Sequence, residues 1–385
     1  MTRITEPQEY DALIIGARCA GAATALLLAR QGARVLVVDH DRPGTDTMST
    51  HALMRGGVFQ LRKWGLLDAI VAAGTPAVRS TQFIYEDVAV ELEIKPEGGI
   101  DALYSPRRYL LDRILAEAAA AAGAELRYET SFRALVRDGQ GRVRGARLRN
   151  ARGGAEEVRA GIVIGADGRR SAVARHVGAQ ITRYAQSHAS CIYRYVEASP
   201  EGGNRWYFAP GASGGIIPTN AGQSCVFVAV PPAVYAEATK AEPDVFAGLA
   251  ARHVPAMAAA LSGAAGVGRP VAFRGSPGHL RQAAGPGWAL VGDAGYFRDP
   301  ITAQGITDAF RDAELLAHAI GAGRLADYPA MRDSFAGEIF ALTHRIAALD
   351  WTMEQIQALH MDLNQAMKEN QKRMAAPGGS FARAA

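Results

Sequence analysis

The chain has 385 residues, of which 49% are hydrophobic and 21% charged, and carries a formal net charge of +4. These values are ordinary for a soluble globular protein with two or three domains' worth of chain and a core of useful size. Lysines and arginines are interspersed with acids, and no basic stripe with interleaved aromatics appears, which argues against nucleic acid as a partner.

The first elements are a short buried strand (DALIIG, 11–16), a helix closed by Gly32 (AGAATALLLARQG) and a second buried strand (ARVLVVD). Together they make one right-handed βαβ unit. The apolar run starts almost at once, so no signal peptide is expected ahead of it. Its glycines and Arg18 favour strand–turn–helix over a membrane span, and no transmembrane helix is expected. An irregular segment follows, and VFQLRKWGLLDAIVAAG (58–74) is predicted as one helix. STQFIYEDVAVELEIK (80–95) alternates as exposed β structure. A helix starts near Ser105 and Pro106 and leads into a strand. Residues 131–149 pattern as a hairpin around D-G-Q-G, and EEVRAGIVIGADG is another buried strand.

From about 180 to 280, short strands rich in Tyr, Phe and Val point to an antiparallel sheet, interrupted by a helical stretch near 232–261. The glycines of SGAAGVGRP follow no strand, so a second dinucleotide fingerprint is not expected. GWALVGDAG returns to a buried strand, and GITDAFRDAELLAHAIG is a strong helix. Residues 331–370 are helical, before a frayed AAPGGSFARAA tail. Cys19, Cys191 and Cys225 are odd in number and widely spaced. Neither a disulfide framework nor a metal site is expected, which fits a cytoplasmic location.

Three strand-end turns carry the chemistry. In the first, GARCAG (16–21) has the form of a dinucleotide-binding G-x-G-x-x-G whose middle glycine is Arg18. Free N–H groups and the positive end of a helix there would face an anion. Asp39 follows Gly21 by 18 residues, close to where an acid bonds a ribose hydroxyl. Read alone, the turn could equally belong to an unrelated α/β domain, and Asp39 could be an ordinary strand-end residue. The second turn, VIGADGRRSAVAR, delivers Asp167-Gly168 ahead of Ser171 and Arg175. The third, GWALVGDAGYFRDPITAQGITDAF, delivers Gly292-Asp293, then Pro300, then a helix opening at Gly305.

In this order and spacing the three motifs resemble the flavoprotein monooxygenases of the p-hydroxybenzoate hydroxylase fold, over most of residues 10–330. The chain departs from that pattern at Arg18 and at Gly295-Tyr296, where the family usually has a histidine after Gly-Asp-Ala. The form G-A-R-C-A-G resembles a bacterial branch grouped with geranylgeranyl-reductase-like oxidoreductases. The resemblance implies an α/β fold: a Rossmann-like FAD-binding domain with an inserted antiparallel-sheet substrate domain and a C-terminal helical region. The expected boundaries are 1–84, 103–180 and 281–330 for the FAD-binding domain, 85–102 and 181–280 for the substrate domain, and 331–385 for the C-terminal helices and tail.

The resemblance further implies site roles. Gly16, Asp39 and the backbone of Arg18, Cys19, Ala20 and Gly21 would hold the ADP half of FAD, with the Arg18 side chain reaching over the cofactor or locking a neighbouring loop. Arg108, in R-x-x-L-x-x-x-L with Leu111 and Leu115, would reach toward the flavin; the alternative is a surface arginine. Asp167 would lie near the pyrophosphate, and Asp293, after Gly292, would bond the ribityl chain. The backbone of Ala303, Gln304, Gly305 and Ile306 would face flavin N1 and O2, where a helix start stabilises the negative charge of the reduced ring. His51 aligns with a segment lining the isoalloxazine and is the candidate catalytic group; a solvent-facing loop histidine is the alternative.

Tyr193 and Tyr195 share one strand face, as do Trp206 and Phe208. With Pro300 they are the candidate substrate-pocket residues, unless the aromatics simply pack the sheet. The function expected is insertion of one oxygen atom from O2 into a small hydrophobic, aromatic or polycyclic substrate, through a flavin C4a-hydroperoxide kept dry by the pocket. NADPH or NADH would be the transient electron donor, or a separate flavin reductase would supply electrons. The alternatives are an oxygen-independent reductase or dehydrogenase of C–C bonds, and a flavin- or ligand-binding protein without turnover. Halogenation is disfavoured, because GGIIPTN lacks the tryptophans of W-x-W-x-I-P and no lysine follows the first glycine loop.

Overall fold

The computed structural model describes residues 9–197 and 203–376; the tail beyond 376 expected to fray lies outside the described residues. The chain opens with β1 (Glu9–Ile15), α1 (Cys19–Arg30) and β2 (Val35–Val38). Where one helix was expected over 58–74 there are two, α2 (Arg55–Lys63) and α3 (Leu67–Ala72), because Gly65 at φ 75° turns the chain between them. The hairpin β3 (Ser80–Tyr85) and β4 (Val88–Glu93) precedes α4 (Arg108–Ala121) and β5 (Glu125–Arg127). A second hairpin, β6 (Thr130–Arg137) and β7 (Val143–Asn150), leads into the long β8 (Ala155–Gly165) and α5 (Ala172–Val177).

Next come β9 (Ile181–Tyr184), β10 (Ser190–Val196), β11 (Asn204–Ala209), β12 (Ala212–Pro218) and β13 (Ser224–Val230). Three helices follow, α6 (Pro232–Ala241), α7 (Val245–His253) and α8 (Pro255–Ala260). The glycines of 263–268 lead into a further strand, β14 (Gly266–Phe273). Short strands β15 (His279–Arg281), β16 (Ala284–Gly285), β17 (Trp288–Leu290) and β18 (Tyr296–Phe297) precede α9 (Gly305–Gly321). The C-terminal helical region is two helices, α10 (Tyr328–Ile346) and α11 (Met353–Ala375). A Thr352–Gln355 capping box starts the second.

The first sheet runs β16-β17-β8-β1-β2-β5, and the β6–β7 hairpin joins it through β8. Its centre, β17-β8-β1-β2-β5, is parallel. Parallel strands are covered on both faces, which is why these read as unbroken apolar runs. Alternate residues serve the two sides: Ile14, Val37 and Ile164 face α1, α4 and α9, while Leu13, Leu36 and Val163 face α5 and the β6–β7 hairpin. A second sheet runs β14-β10-β13-β12-β11-β3-β4, antiparallel except where β11 meets β3. It takes in β3 from Ser80, five residues before the boundary read from the sequence. The third sheet is β18-β15-β9, so residues 181–184 pair there and not with the second sheet.

Because β1, β8 and β17 are parallel neighbours, their C-terminal ends share one edge, and the turns that follow them lie side by side. Glycine permits this crowding. A Cβ on Gly16, which holds φ at 109°, would lie 2.4 Å from the Ala166 carbonyl oxygen; one on Gly21 would lie 1.8 Å from the Gly16 oxygen. Substituting valine at Gly21 therefore forces α1 off the turn. We expect unfolding free energy to fall by about 3 kcal/mol or more, whereas Gly139→Ala, with open space around it, stays within about 0.5 kcal/mol of the parent. Urea denaturation of both variants checks this, and equal midpoints would refute the crowding argument.

Candidate functional site

Arg18 occupies the glycine position of the first turn without strain, because its backbone is extended at φ −86° and ψ −169°. Its guanidinium bonds Asp41 at 2.7 Å and approaches Asp112 at 3.6 Å and the Thr45 carbonyl at 3.5 Å. The side chain thereby ties the loop after β2 to the start of α1. Buried Asp39 accepts the Ala17 N–H at 2.7 Å and the Asp41 N–H at 2.9 Å, so it clamps the same loop from beneath. No side chain caps the start of α1, which leaves its first N–H groups for an anion.

Asp112 was not singled out from the sequence, yet it is the node of this end. It accepts the Cys19 S–H at 3.0 Å and three hydrogen bonds of 3.1 Å from Arg108. The available signal was the R-x-x-x-D spacing on α4, which puts both side chains on one helix face. Burial and the Asp112 charge push the Cys19 thiol well up, so it stays protonated. Arg108 exposes only 12% of its side chain, unlike a surface arginine, and its guanidinium turns back onto Asp112. Burial works against its charge; Asp112 and Asp293 outweigh that and hold it firmly protonated.

Beside these residues is a cleft of about 500 Å³ lined by Ala17, Arg18, Asp39, Asp112, Ala116, Ala120, Leu126 and Tyr128, among others. Its α4 and β5 residues offer an apolar slot, and its other end is the start of α1. Asp167 lies against Gly16 through its backbone. Its carboxylate, however, is occupied: it accepts Ser171 Oγ–H at 2.5 Å and the N–H groups of Ala172 and Val173 at 2.6 and 3.1 Å. The aspartate thus caps α5, a role its position before Ser171 did not reveal.

Gly292 lets its turn approach α1, since a Cβ there would lie 2.8 Å from that of Ala20. The neighbouring Asp293 makes no hydrogen bond or ion pair with any described residue. Burial pushes its carboxyl up to about 6, with Arg108 and Arg169 pulling the other way. Further on, Ala303 is left-handed at φ 52°, Gln304 caps nothing, and Gly305 opens α9 exposed and with free space around it. The Gln304 side chain turns instead to Met367 on α11.

His51 is fully buried, which excludes a solvent-facing loop histidine, and adopts φ 67°. Its Nε2 and the Tyr195 hydroxyl share a hydrogen bond of 2.5 Å. Burial pushes the imidazole down to about 3, against the pull of Asp46, so it is neutral at ordinary pH. Arg107, another residue not anticipated, lies 3.7 Å over the Tyr195 ring and bonds Asp46 at 2.6 Å. Tyr193, Tyr195, Trp206 and Phe208 all lie on one face of the second sheet, with Phe227 and Cys225. The opposite face is sealed by α6–α8, and α10 and α11 close over the aromatic side. Pro300 is exposed, while Ile301 and Ala303 beside it join the aromatic cluster.

An uncapped helix start, a half-buried aspartate without a hydrogen bond to any described residue and a second open helix start suit a long ligand with phosphates and hydroxyls. The FAD binding domain model matches residues 9–325. The chain belongs to this FAD-binding family. The flavoprotein is 30% identical over 324 residues to a digeranylgeranylglycerophospholipid reductase of Methanosarcina acetivorans, covering 80% of this chain and 74% of that protein. It is 26% identical over 348 residues to the 3-demethoxyubiquinol 3-hydroxylase of Escherichia coli, covering 84% of each. Among solved structures, the flavin-dependent brominase Bmp2 superposes with a TM-score of 0.79 over 94% of both chains at 19% identity, a likeness of fold. The flavoprotein is therefore an FAD-dependent oxidoreductase of the group A monooxygenase fold.

Two substitutions separate the loop lock from the buried node. Asp112→Ala strands the Arg108 charge and should lower stability by about 3–5 kcal/mol. Arg18→Gly removes a half-exposed pair and should change it by less than about 1 kcal/mol, while FAD dissociates faster from the loosened loop. Urea denaturation and stopped-flow flavin release check both, and equal release rates would make Arg18 a tolerated surface residue.

Proposed function

We propose that the protein is a monooxygenase that inserts one atom of O2 into a hydrophobic, aromatic or polycyclic substrate. The observation that carries this reading is the enclosed aromatic face of the second sheet, which Ile301 and Ala303, just before α9, join and to which His51 is tied through Tyr195. Bound FAD would supply electron storage and oxygen activation. The cleft beside Asp39 would take the ADP half, Asp293 the ribityl hydroxyls, and the Ala303–Ile306 backbone the pyrimidine edge of the ring. The closure by α10 and α11 would exclude water from the reacting atoms. Neutral His51 would act by orienting Tyr195, whose hydroxyl is the polar group of an otherwise apolar wall. NADPH or NADH would deliver the electrons.

A second reading, oxygen-independent reduction of a C–C double bond, is favoured by the likeness to the archaeal reductase. One experiment decides between them. The FAD-loaded protein is reduced anaerobically with NADPH or NADH, then exposed to 18O2 and a panel of polycyclic phenols and isoprenoid quinols. Label in the product supports the monooxygenase. Saturation of a double bond without oxygen supports the reductase, and no reduction by either nucleotide removes them as direct donors.

The Asp293 assignment gives a pH dependence. Its folded-state value, about 6, lies above the ordinary 3.8, so the ligand-free fold loses stability as pH rises between those values. Ribityl hydroxyls donate to the ionised form, and FAD affinity should fall up to tenfold per pH unit below 6. Titrating flavin fluorescence across pH 4.5–8 checks this; Asp293→Asn should flatten the curve, and a parent curve already flat would remove the assignment.

A further inference from the structure

Four charged side chains, Arg298, Asp308, Arg311 and Asp312, lie inside the protein, none exposing more than 7% of its side-chain surface. Arg298 Nε donates to Asp308 at 2.7 Å, and Arg311 grips the other Asp308 oxygen at 2.7 Å while also bonding Asp312. Arg298 Nη1 reaches Thr302 at 3.3 Å and Thr343, on α10, at 2.9 Å; the two threonine hydroxyls are 3.2 Å apart. Ion clusters so deeply buried add little stability over apolar packing, although removing one member is damaging. Their effect here is geometric.

Arg298 precedes the turn at Ala303, and Asp308 follows it in the first turn of α9. The ion pair therefore joins residues ten positions apart, around a tip that holds a non-glycine residue at φ 52°. Such a conformation persists only where its surroundings over-determine it. Asp299 adds a second tie, accepting the N–H groups of Ala189 and Ile301 at 2.8 and 3.0 Å. The cluster also controls charge. An acid in the first turn of a helix opposes a negative ligand at that end, and Arg298 and Arg311 neutralise Asp308.

We propose that Arg298 is a positioning residue for the flavin: by tying Asp308 and Thr302 against Thr343, it fixes the Ala303–Ile306 amides where the reduced ring carries negative charge. This rests on the reading that the start of α9 faces the flavin. Removing Arg298 loosens those amides and leaves Asp308 less compensated, and both changes disfavour the reduced form.

The test is the midpoint potential of the FAD-loaded protein, measured by dye-coupled reductive titration alongside FAD content and thermal stability. Arg298→Gln should lower the potential by about 30 mV or more, a tenfold loss of preference for the two-electron-reduced form. Arg298→Lys keeps the charge but cannot span the partners, and Thr343→Val removes only the distant anchor; both should lower it by smaller amounts. Leu249→Ala, in the core behind the second sheet, should lose stability with the potential unmoved. An unmoved potential in Arg298→Gln and Thr343→Val, with FAD retained, overturns the inference alone. If the Arg298 variants do not fold, Thr343→Val decides by the same criterion. A parent protein that binds no FAD overturns the flavin reading beneath it.

Discussion

The contact of the Gly16 turn with the Ala166 carbonyl is the constraint from which the site follows. Backbone meets backbone there at a distance that admits no side chain. The next turn of chain obeys the same limit, with Gly21 over the Gly16 carbonyl and Gly292 against Ala20. These approaches bring the ends of three parallel strands to one edge and pack the Gly292 turn between α1 and α9. A cofactor with a phosphate end and a ring end can then be held mostly by N–H groups and helix ends, which need no charged side chain of their own.

Charge is managed around that edge by pairing. Arg108 is held by Asp112, Arg18 by Asp41, and Asp308 by two arginines. Asp293 is the acid left without a partner among the described residues, at the place where a ligand's hydroxyls would supply one. Half-buried and without a hydrogen bond to a described residue, its carboxylate is open to a ligand's donors.

The second sheet divides two kinds of packing. Ile192, Val226 and Val228 face α6–α8 as ordinary core, while Tyr193, Tyr195, Trp206 and Phe208 face α10 and α11. Their large rings leave polar tips at defined points, and the His51–Tyr195 bond fixes one of them. Trp351, between α10 and α11, and Ile356 and Leu363 on α11 pack against this face, so its cover depends on residues far along the chain from the motifs.

The sequence by itself determined the βαβ unit, the three strand-end turns, the α/β class and the FAD-binding family, because glycine spacing and unbroken apolar runs report local backbone geometry directly. It also placed the four aromatics on shared strand faces, since that follows from a period of two. Tertiary structure decided what the side chains do. Asp167 and Arg108, expected at the cofactor, also hold Ser171 and Asp112, and one expected helix breaks in two at Gly65. The contacts of Arg107 with Tyr195, of Asp112 with Cys19 and of Arg298 with Thr343 were invisible because each joins residues 45 to 93 positions apart. A motif records how the backbone bends at one place. Which charge meets which is settled only when distant segments are packed together, because burial leaves each ion only the partners that the fold brings within reach.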